Sequence, residues 1–551
     1  MRLISLPQYK RNAIRFTEIV RVLSKYGLAG WLKATDPEFL KRLFESKDGE
    51  SVAGTSQGAR MRLAAEELGP TFIKLAQILS TRSDLIGPEI SSELQKLQSS
   101  VPADSFEVVQ ETFAAELGKK FEDVFVEFQE QALGSASIGQ VHAARLQDGR
   151  EVVVKIQHAD IEGRIREDLE ILEGLASLAE EFSKDLRAAR PKDLMREFKR
   201  TMLHELDYER ERKNLEEFGR NFENQPEVHF PYAVPELSTR RVLTMEKLVG
   251  RDFHQLRDPE CDDVDRTGLT RLGVNVFLDM IFRDGFYHAD PHPGNLLVLD
   301  DGRLGVLDCG MTGRVDTQTM EVLSSLMIAV TNQDTEDLTY FVSKIGSIPQ
   351  DLDREQLRIE LGEFVAEYAN RSMEDLDAVA AIEDCIAIIR RNAIVLRPNI
   401  SLLIKVIVML EGTSRLLDRD FSLTEVLDPY MRKTISRRFG PKARLKRLAG
   451  TAKDWDRLAS GFPRYANQIL ERVDQGQFQI NLKHQHLDKA VNRLVLGILS
   501  AALFVGSASM LAAAVPPTIY GISVFGFIGG AAGLFLGLII LKAIHNSDDL
   551  A

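Results

Sequence analysis

Residues 494–515, LVLGILSAALFVGSASMLAAAV, and residues 519–541, IYGISVFGFIGGAAGLFLGLIIL, contain no charged side chain. Each is as long as the ~20 residues that an α-helix needs to cross the hydrocarbon core of a bilayer. Few soluble folds can bury two such runs in succession, so the C-terminus is expected to form a transmembrane helical hairpin turning at Pro516 and Pro517. Gly526, Gly529, Gly530, Gly533 and Gly537 give overlapping small-x-x-x-small spacings. Such spacings let a neighbouring helix approach closely, within the hairpin or in a homodimer.

The flanks set an expected orientation. Residues 431–450, MRKTISRRFGPKARLKRLAG, hold eight Lys or Arg and no acid, Lys489 and Arg493 precede the first run, and Lys542 follows the second. Excess Lys and Arg marks the cytoplasmic side, so the large N-terminal part should face the cytoplasm or an organellar matrix or stroma. The basic stretch also suits anionic lipid. A formal charge of −13 argues against nucleic acid as a partner. The three cysteines, Cys261, Cys309 and Cys385, form neither a disulfide framework nor a zinc motif.

Ahead of the apolar runs, residues 12–118 carry apolar side chains at three- and four-residue spacing, broken by the loop-like 46–58. Strand alternation begins near 122, with Asp148-Gly149 marking a turn between QVHAARL and EVVVKIQ. Helical patterns follow at 161–184 and 192–219, then a strand at 240–246. From 252 to 430 the pattern is helical apart from one hairpin, NLLVLDDGRLGVLD, turning at Asp300-Asp301-Gly302. That order predicts an α+β, two-lobed protein-kinase-like fold. Its parts are an N-terminal helical extension (1–118), an N-lobe (119–250), a helical C-lobe (251–430), a basic helical linker (431–493) and the hairpin (494–541).

Four elements in the order a kinase requires point to phosphoryl transfer. LGSASIGQVH places Gly134, Ser135, Ala136, Ser137 and Gly139 between two strands, where a glycine loop cradles phosphates. Ala136 occupies the middle glycine position. Lys155 ends the next strand, VVVKIQ, as a phosphate-binding lysine does. A buried ammonium needs an acidic partner, and Glu205, Asp207, Glu209 and Glu211 are all available on the following helix. HADPHPGN then aligns His288, Asp290 and Asn295 with H-R-D-L-x-x-x-N, and Asp308-Cys309-Gly310 stands for D-F-G. Asp290 is the candidate catalytic base, and Asn295 with Asp308 the candidate Mg²⁺ ligands. A zinc cage on His288 and His292 is disfavoured by Pro291 and Pro293, and no further ligand cluster completes it. The chain turns helical at once after DCGMTGRV and no A-P-E follows, so a peptide groove is not expected.

Together with LGPTFIKLAQILSTRSDL and HELDYERERKNLEEF, these motifs resemble the UbiB (AarF) family of atypical kinase-like proteins over residues 59–430. The resemblance implies that Lys74 and Gln77 form the family's K-x-G-Q motif, with Ala76 in place of its glycine. It implies that Glu205 and Asp207 form an E-x-D motif facing them, and that Glu211 pairs with Lys155. An adenine hinge is implied at Met245-Glu246-Lys247-Leu248. It further implies binding of ATP or ADP with Mg²⁺, an ATPase or small-molecule kinase, and a role in ubiquinone or related prenylquinone biosynthesis or lipid homeostasis. Membrane lipid, prenylquinone precursors and a membrane enzyme complex are the implied partners. A nucleotide-gated scaffold and a protein kinase are the competing expectations.

Overall fold

A computed structural model describes residues 13–28, 55–97, 101–182, 190–253, 255–257, 264–349, 352–368, 377–427, 430, 487–519 and 522–548. The basic segment 431–450 and Cys261 lie outside them. The chain divides into two compact units, Met1–Ala443 and Arg444–Ala551.

In the first unit, alternating side chains build an antiparallel sheet from β1 (Phe125–Phe128), β2 (Gly134–Ser135), β3 (Gly139–Leu146), β4 (Glu151–Gln157) and, after β5 (Val228–His229), β6 (Val242–Glu246). The order is β1-β3-β4-β6, with β2 against β3. The β3–β4 turn uses Asp148 as read from the sequence: its carboxylate accepts from Arg150 N, and Gly149 takes φ 87°. On β4, Val152, Val154 and Ile156 are buried against Val109 and Phe113 of a preceding helix (Phe106–Leu117). The two-residue period of a strand therefore turns Lys155 to the opposite face.

The N-terminal helices α1 (Ala13–Lys25), α2 (Gln57–Leu68) and α3 (Pro70–Ser80) pack into one apolar cluster with α4 (Ile161–Phe182) and α5 (Pro191–Glu205). The helix expected over 192–219 is instead two, α5 and α6 (Tyr208–Asn221), interrupted at Leu206 and Asp207. The sheet causes the break. Gln157 Nε2 donates to Leu206 O at 2.9 Å, and Tyr208 N donates to Arg240 O at 3.0 Å, so backbone groups at the junction are held by the end of β4 and by the segment that leads into β6.

The second half is mainly helical but holds more strand than the single hairpin expected. β9 (Leu296–Leu299) and β10 (Leu304–Val306) turn at Gly302, φ 84°, and lie in a sheet ordered β5-β10-β9-β7 with β7 (Gly250–Asp252). After α7 (Arg266–Leu278) a π-helical turn at Asp279–Asp284 ends at Gly285. β8 (Phe286–His288) then pairs with β11 (Thr312–Arg314). Helices α8 (Thr317–Thr331), α9 (Thr335–Ile345), α10 (Arg354–Tyr368), α11 (Ala378–Arg391) and α12 (Pro398–Leu417) follow, with β12 (Gly346–Ser347) pairing with β13 (Val395–Leu396). α8 begins shortly after β11, N-capped by the Asp316 carboxylate.

A buried clasp joins the extension to this half. Arg82, 3% exposed, binds Asp84 with both arms at 2.9 Å, reaches Glu197 of α5 at 3.3 Å and donates to Leu396 O on β13. Leu396 N returns a hydrogen bond to Asp84.

In the second unit, α13 (Leu487–Ala512) and α14 (Val524–Asp548) pack against each other, with Ser500 Oγ donating to Gly533 O at 2.7 Å. The second apolar run becomes helical at Val524 rather than 519, because Thr518–Ile519 pairs with Ile522–Ser523 first. Among the described residues one helical stretch, Val495–Ala512 with mean hydropathy 2.0, is long and apolar enough to cross a membrane. Val524–Leu538 is apolar but shorter. Ile498, Phe504, Phe527 and Phe535 are exposed.

Candidate active site

The cleft is assembled from β4, the β2–β3 loop, α3, the α5–α6 junction and the segment from Asp290 to Met311. Lys155 Nζ lies 2.5 Å from Glu211 Oε1 on α6 and 3.5 Å from Asp308 Oδ1. The structure thereby selects Glu211 from the four acids the sequence left open, and Glu209 instead binds Arg212. Burial alone would lower the Lys155 ammonium, yet Asp308 and Glu211 hold it above the ordinary lysine range. Lys155 in turn keeps the Asp308 carboxyl below its usual range. Burial pushes the Glu211 carboxyl up to about 7 against the pull of Lys155, since two carboxylates share one ammonium.

The HADPHPGN loop is fixed from both sides. His288 is fully buried; its Nδ1 accepts from Asp290 N at 3.1 Å, so Nε2 carries the hydrogen and donates to Asp308 O at 2.8 Å. Nδ1 thus braces the loop on itself and Nε2 ties it to the Asp308 segment, so both nitrogens are engaged. His292 Nδ1 accepts from Gly294 N. Asn295 Nδ2 donates to Asp290 O at 3.1 Å, placing the Asn295 side chain beside the Asp290 carboxylate. Asp308 itself takes φ 45°, a left-handed conformation that Asp tolerates better than most residues and that recurs where a side chain must be aimed. Cys309 is fully buried, and burial pushes its thiol up.

Lys74 and Gln77, three residues apart on α3, both reach the cleft. Lys74 Nζ lies 2.5 Å from Glu205 Oε1 and 3.8 Å from Met311 Sδ across the opening. Burial works against its charge, but Glu205, with Asp290 and Asp308 behind it, keeps the ammonium above the usual range. Ala76 points the other way. Its methyl is buried in the cluster formed with α2 and α5, so the replacement of glycine meets helix packing rather than the cleft.

Ala136, Ser137 and Gly139 line the cleft, whereas Gly134 and Ser135, on β2, are not among its walls. Gly139 is required by space: a Cβ there would sit 2.5 Å from both Ile156 O and Tyr208 Oη. A Cβ at Gly134 would meet nothing. His158 braces this loop, with Nε2 3.1 Å from Ala136 O and Nδ1 3.1 Å from Asp104 Oδ2. Met245, Glu246 and Leu248 are not among the cleft walls; Met245 is 4% exposed, and Glu246 binds His229 Nε2 at 2.8 Å.

The donor chemistry of the lining suits a divalent cation, although no three His, Cys, Asp or Glu side chains converge as a preformed cage among the described residues. Lining the cleft are five carboxylates (Glu205, Asp207, Glu211, Asp290 and Asp308) against the ammonium groups of Lys74 and Lys155. Asp207 Oδ1 is buried without a hydrogen-bond partner among the described residues. An excess of oxygen ligands with one orphaned is chemistry suited to Mg²⁺, which neutralises it and makes room for polyphosphate. Sequence reasoning missed Tyr208, packed against Gly139, and Lys405 of α12, whose Nζ lies 3.5 Å from Asp290 Oδ1. Neither sits in a recognisable motif.

Residues 96–341 match the ABC1 atypical kinase-like domain, residues 361–422 the UbiB helical domain, and residues 480–545 the ABC1/UbiB kinase-like C-terminal domain. A probable protein kinase UbiB of Xylella fastidiosa is 31% identical over 536 residues, covering 95% of each chain. One of Xanthomonas campestris is 30% identical over 95% of this chain and 98% of its own. A Clostridium pasteurianum protein from the hydrogenase 1 5′ region is 29% identical over 98% of this chain and the whole of its own. Among solved structures, the Rv3197–erythromycin complex of Mycobacterium tuberculosis aligns with a TM-score of 0.45 at 22% identity, over 71% of this chain and 97% of that one.

Proposed function

Because this chain belongs to the UbiB family of atypical kinase-like proteins, we propose that it is a membrane-anchored, Mg²⁺-dependent ATP-binding protein. In this reading it hydrolyses ATP or phosphorylates a small molecule in support of ubiquinone or related prenylquinone biosynthesis or lipid homeostasis. The observation that carries the nucleotide part is the Lys155–Glu211 pair at 2.5 Å with Asp308 3.5 Å beyond it, in a cleft with carboxylates in excess. The quinone assignment rests on membership of the UbiB family; the relatives' printed name, probable protein kinase, speaks only for the kinase-like part. The apolar α13 and α14, paired through Ser500 and Gly533, support anchoring by a transmembrane hairpin.

The chain's own groups divide the work. Lys155, held by Glu211, orients the phosphates, and the braced backbone of Ala136–Gly139 encloses them. Asn295 and Asp308 would hold Mg²⁺, which supplies positive charge against the phosphate oxygens. Asp290 orients the acceptor oxygen and receives its proton. Lys74, paired with Glu205, and Gln77 line the cleft, and the family resemblance puts them over the side where a peptide would dock, which favours a small acceptor over a protein. The same closure also favours a second reading, a scaffold whose partners sense bound nucleotide without turnover.

Binding of a fluorescent ATP analogue tests the assignment. The full chain in detergent should bind it tightly only with Mg²⁺, and Asp308→Asn should lose the Mg²⁺-dependent part, by at least tenfold in Kd, with an unchanged circular dichroism spectrum. Equal Mg²⁺-dependent affinity in that variant contradicts the metal assignment.

A further inference from the structure

Beside Asp290, behind the cleft wall, stands a third lysine, from outside the region that matches the kinase-like domain. Lys405 sits in the middle of α12, within the UbiB helical domain match at 361–422. Its side chain is 16% exposed, and its Nζ lies 3.5 Å from Asp290 Oδ1. The two cleft lysines are engaged elsewhere, Lys155 with Glu211 and Asp308 and Lys74 with Glu205. The carboxylate beside Lys405 is therefore the one proposed above to meet the acceptor.

Position and anchoring make this contact more than a chance surface pair. The same helix is tied to the catalytic loop two turns further on, where Thr413 Oγ1 donates to Pro291 O at 2.8 Å in a buried bond. Asp290 is held from the other side by Asn295, whose Nδ2 donates to the Asp290 backbone O and lies 3.5 Å from Oδ2. Each carboxylate oxygen thus has its own neighbour, Lys405 at Oδ1 and Asn295 at Oδ2. Burial, with the like charge of Lys74 nearby, holds the Lys405 ammonium below the usual lysine range, and Asp290 offsets only part of this.

We propose that Lys405 is a positioning residue that holds the Asp290 carboxylate from the helical domain and fits the acceptor end to a hydroxyl, phenolic, alcoholic or water, rather than to an amine. This rests on the phosphoryl-transfer reading. As the acceptor O–H breaks, its proton passes to Asp290 and its oxygen bonds the γ-phosphorus, while the bond to the β-phosphate oxygen breaks and its electron pair leaves with ADP. An ammonium beside Asp290 stabilises the negative charge growing on the acceptor oxygen. It repels a protonated amine approaching the same place.

Three measurements on the full chain test it. Lys405→Met should leave Mg²⁺-ATP affinity within about twofold of the parent and lower kcat at least tenfold, and Lys405→Arg should restore part of kcat. Amine labelling of Lys405 by an acylating reagent at pH 8, read by peptide mass spectrometry, should rise severalfold in Asp290→Asn. Without its carboxylate neighbour the amine loses its proton more readily. Phenolic acceptors should support turnover where amine analogues do not. Unchanged kcat in Lys405→Met, or labelling indifferent to Asp290→Asn, overturns the proposal. So does an equal loss in the Met and Arg variants accompanied by a fall in melting temperature, which marks a packing role alone. If the parent binds nucleotide without turnover, the enzymatic reading fails and the acceptor part of the proposal with it, while the labelling still decides whether Lys405 holds Asp290.

Discussion

Gly139 and Glu211 show how single residues set the limits of this cleft. Gly139→Ala places a methyl 2.5 Å from Ile156 O and Tyr208 Oη, so strand or tyrosine must shift. We expect a loss of about 1–3 kcal/mol in unfolding free energy and weaker nucleotide binding, measured by denaturant titration and fluorescence anisotropy. Gly134→Ala, with open space around it, should change neither by more than about 0.5 kcal/mol. For Glu211 the sign of the pH effect follows from burial. Its carboxyl is raised to about 7 in the folded protein, so between roughly pH 4.5 and 7 the folded state holds a proton that the unfolded state has lost. Stability contributed by that proton is full below the unfolded value and lost as pH rises through the folded one. Relative to Glu211→Gln, the nucleotide-free protein should therefore lose stability as pH rises across this window. Melting temperatures of both proteins between pH 4.5 and 8 check it, and parallel curves would contradict it.

Among the elements, the extension is held to the rest of the first unit by the Arg82 clasp. Arg82→Ala leaves the buried Asp84 without its bidentate partner, a change on the order of 3–5 kcal/mol for a buried pair. Because Arg82 follows α3, which carries Lys74 and Gln77, we expect the variant to melt at lower temperature and to show faster hydrogen exchange across residues 70–97. Exchange confined to residues 82–84 would contradict this coupling. The elements also show what could be read from the chain. The β3–β4 and β9–β10 hairpins were legible because Asp148-Gly149 and Asp300-Asp301-Gly302 are local turn chemistry, and the order of Lys155, Asp290, Asn295 and Asp308 survives as sequence. The break between α5 and α6 was not legible, since the groups that hold Leu206 and Tyr208 belong to Gln157 and Arg240, distant in sequence. Nor was Lys405, one lysine on a long helix, whose meaning depends on α12 returning to Asp290 more than a hundred residues later.

At the scale of the molecule, one unit holds a charged cleft and the other an apolar helix pair, of which Val495–Ala512 is long and apolar enough to cross a membrane. In the second unit a Cβ on Gly533 would lie 3.2 Å from Ser500 O, and one on Gly526 would lie 3.0 Å from Ser507 O. Gly533→Leu should separate α13 from α14 and reduce retention in the membrane fraction after alkaline carbonate extraction; full retention would contradict anchoring by a paired hairpin. The proposed function is a Mg²⁺-dependent nucleotide site that works for a membrane-borne quinone precursor. The most direct test is ATP hydrolysis by the full chain in anionic liposomes, with and without a phenolic quinone precursor, using Asp308→Asn as the blank. The account predicts turnover that requires Mg²⁺, rises with both liposomes and precursor, and falls to background in the variant. Turnover that is the same in Asp308→Asn, or tight nucleotide binding with no turnover under any of these conditions, would contradict it.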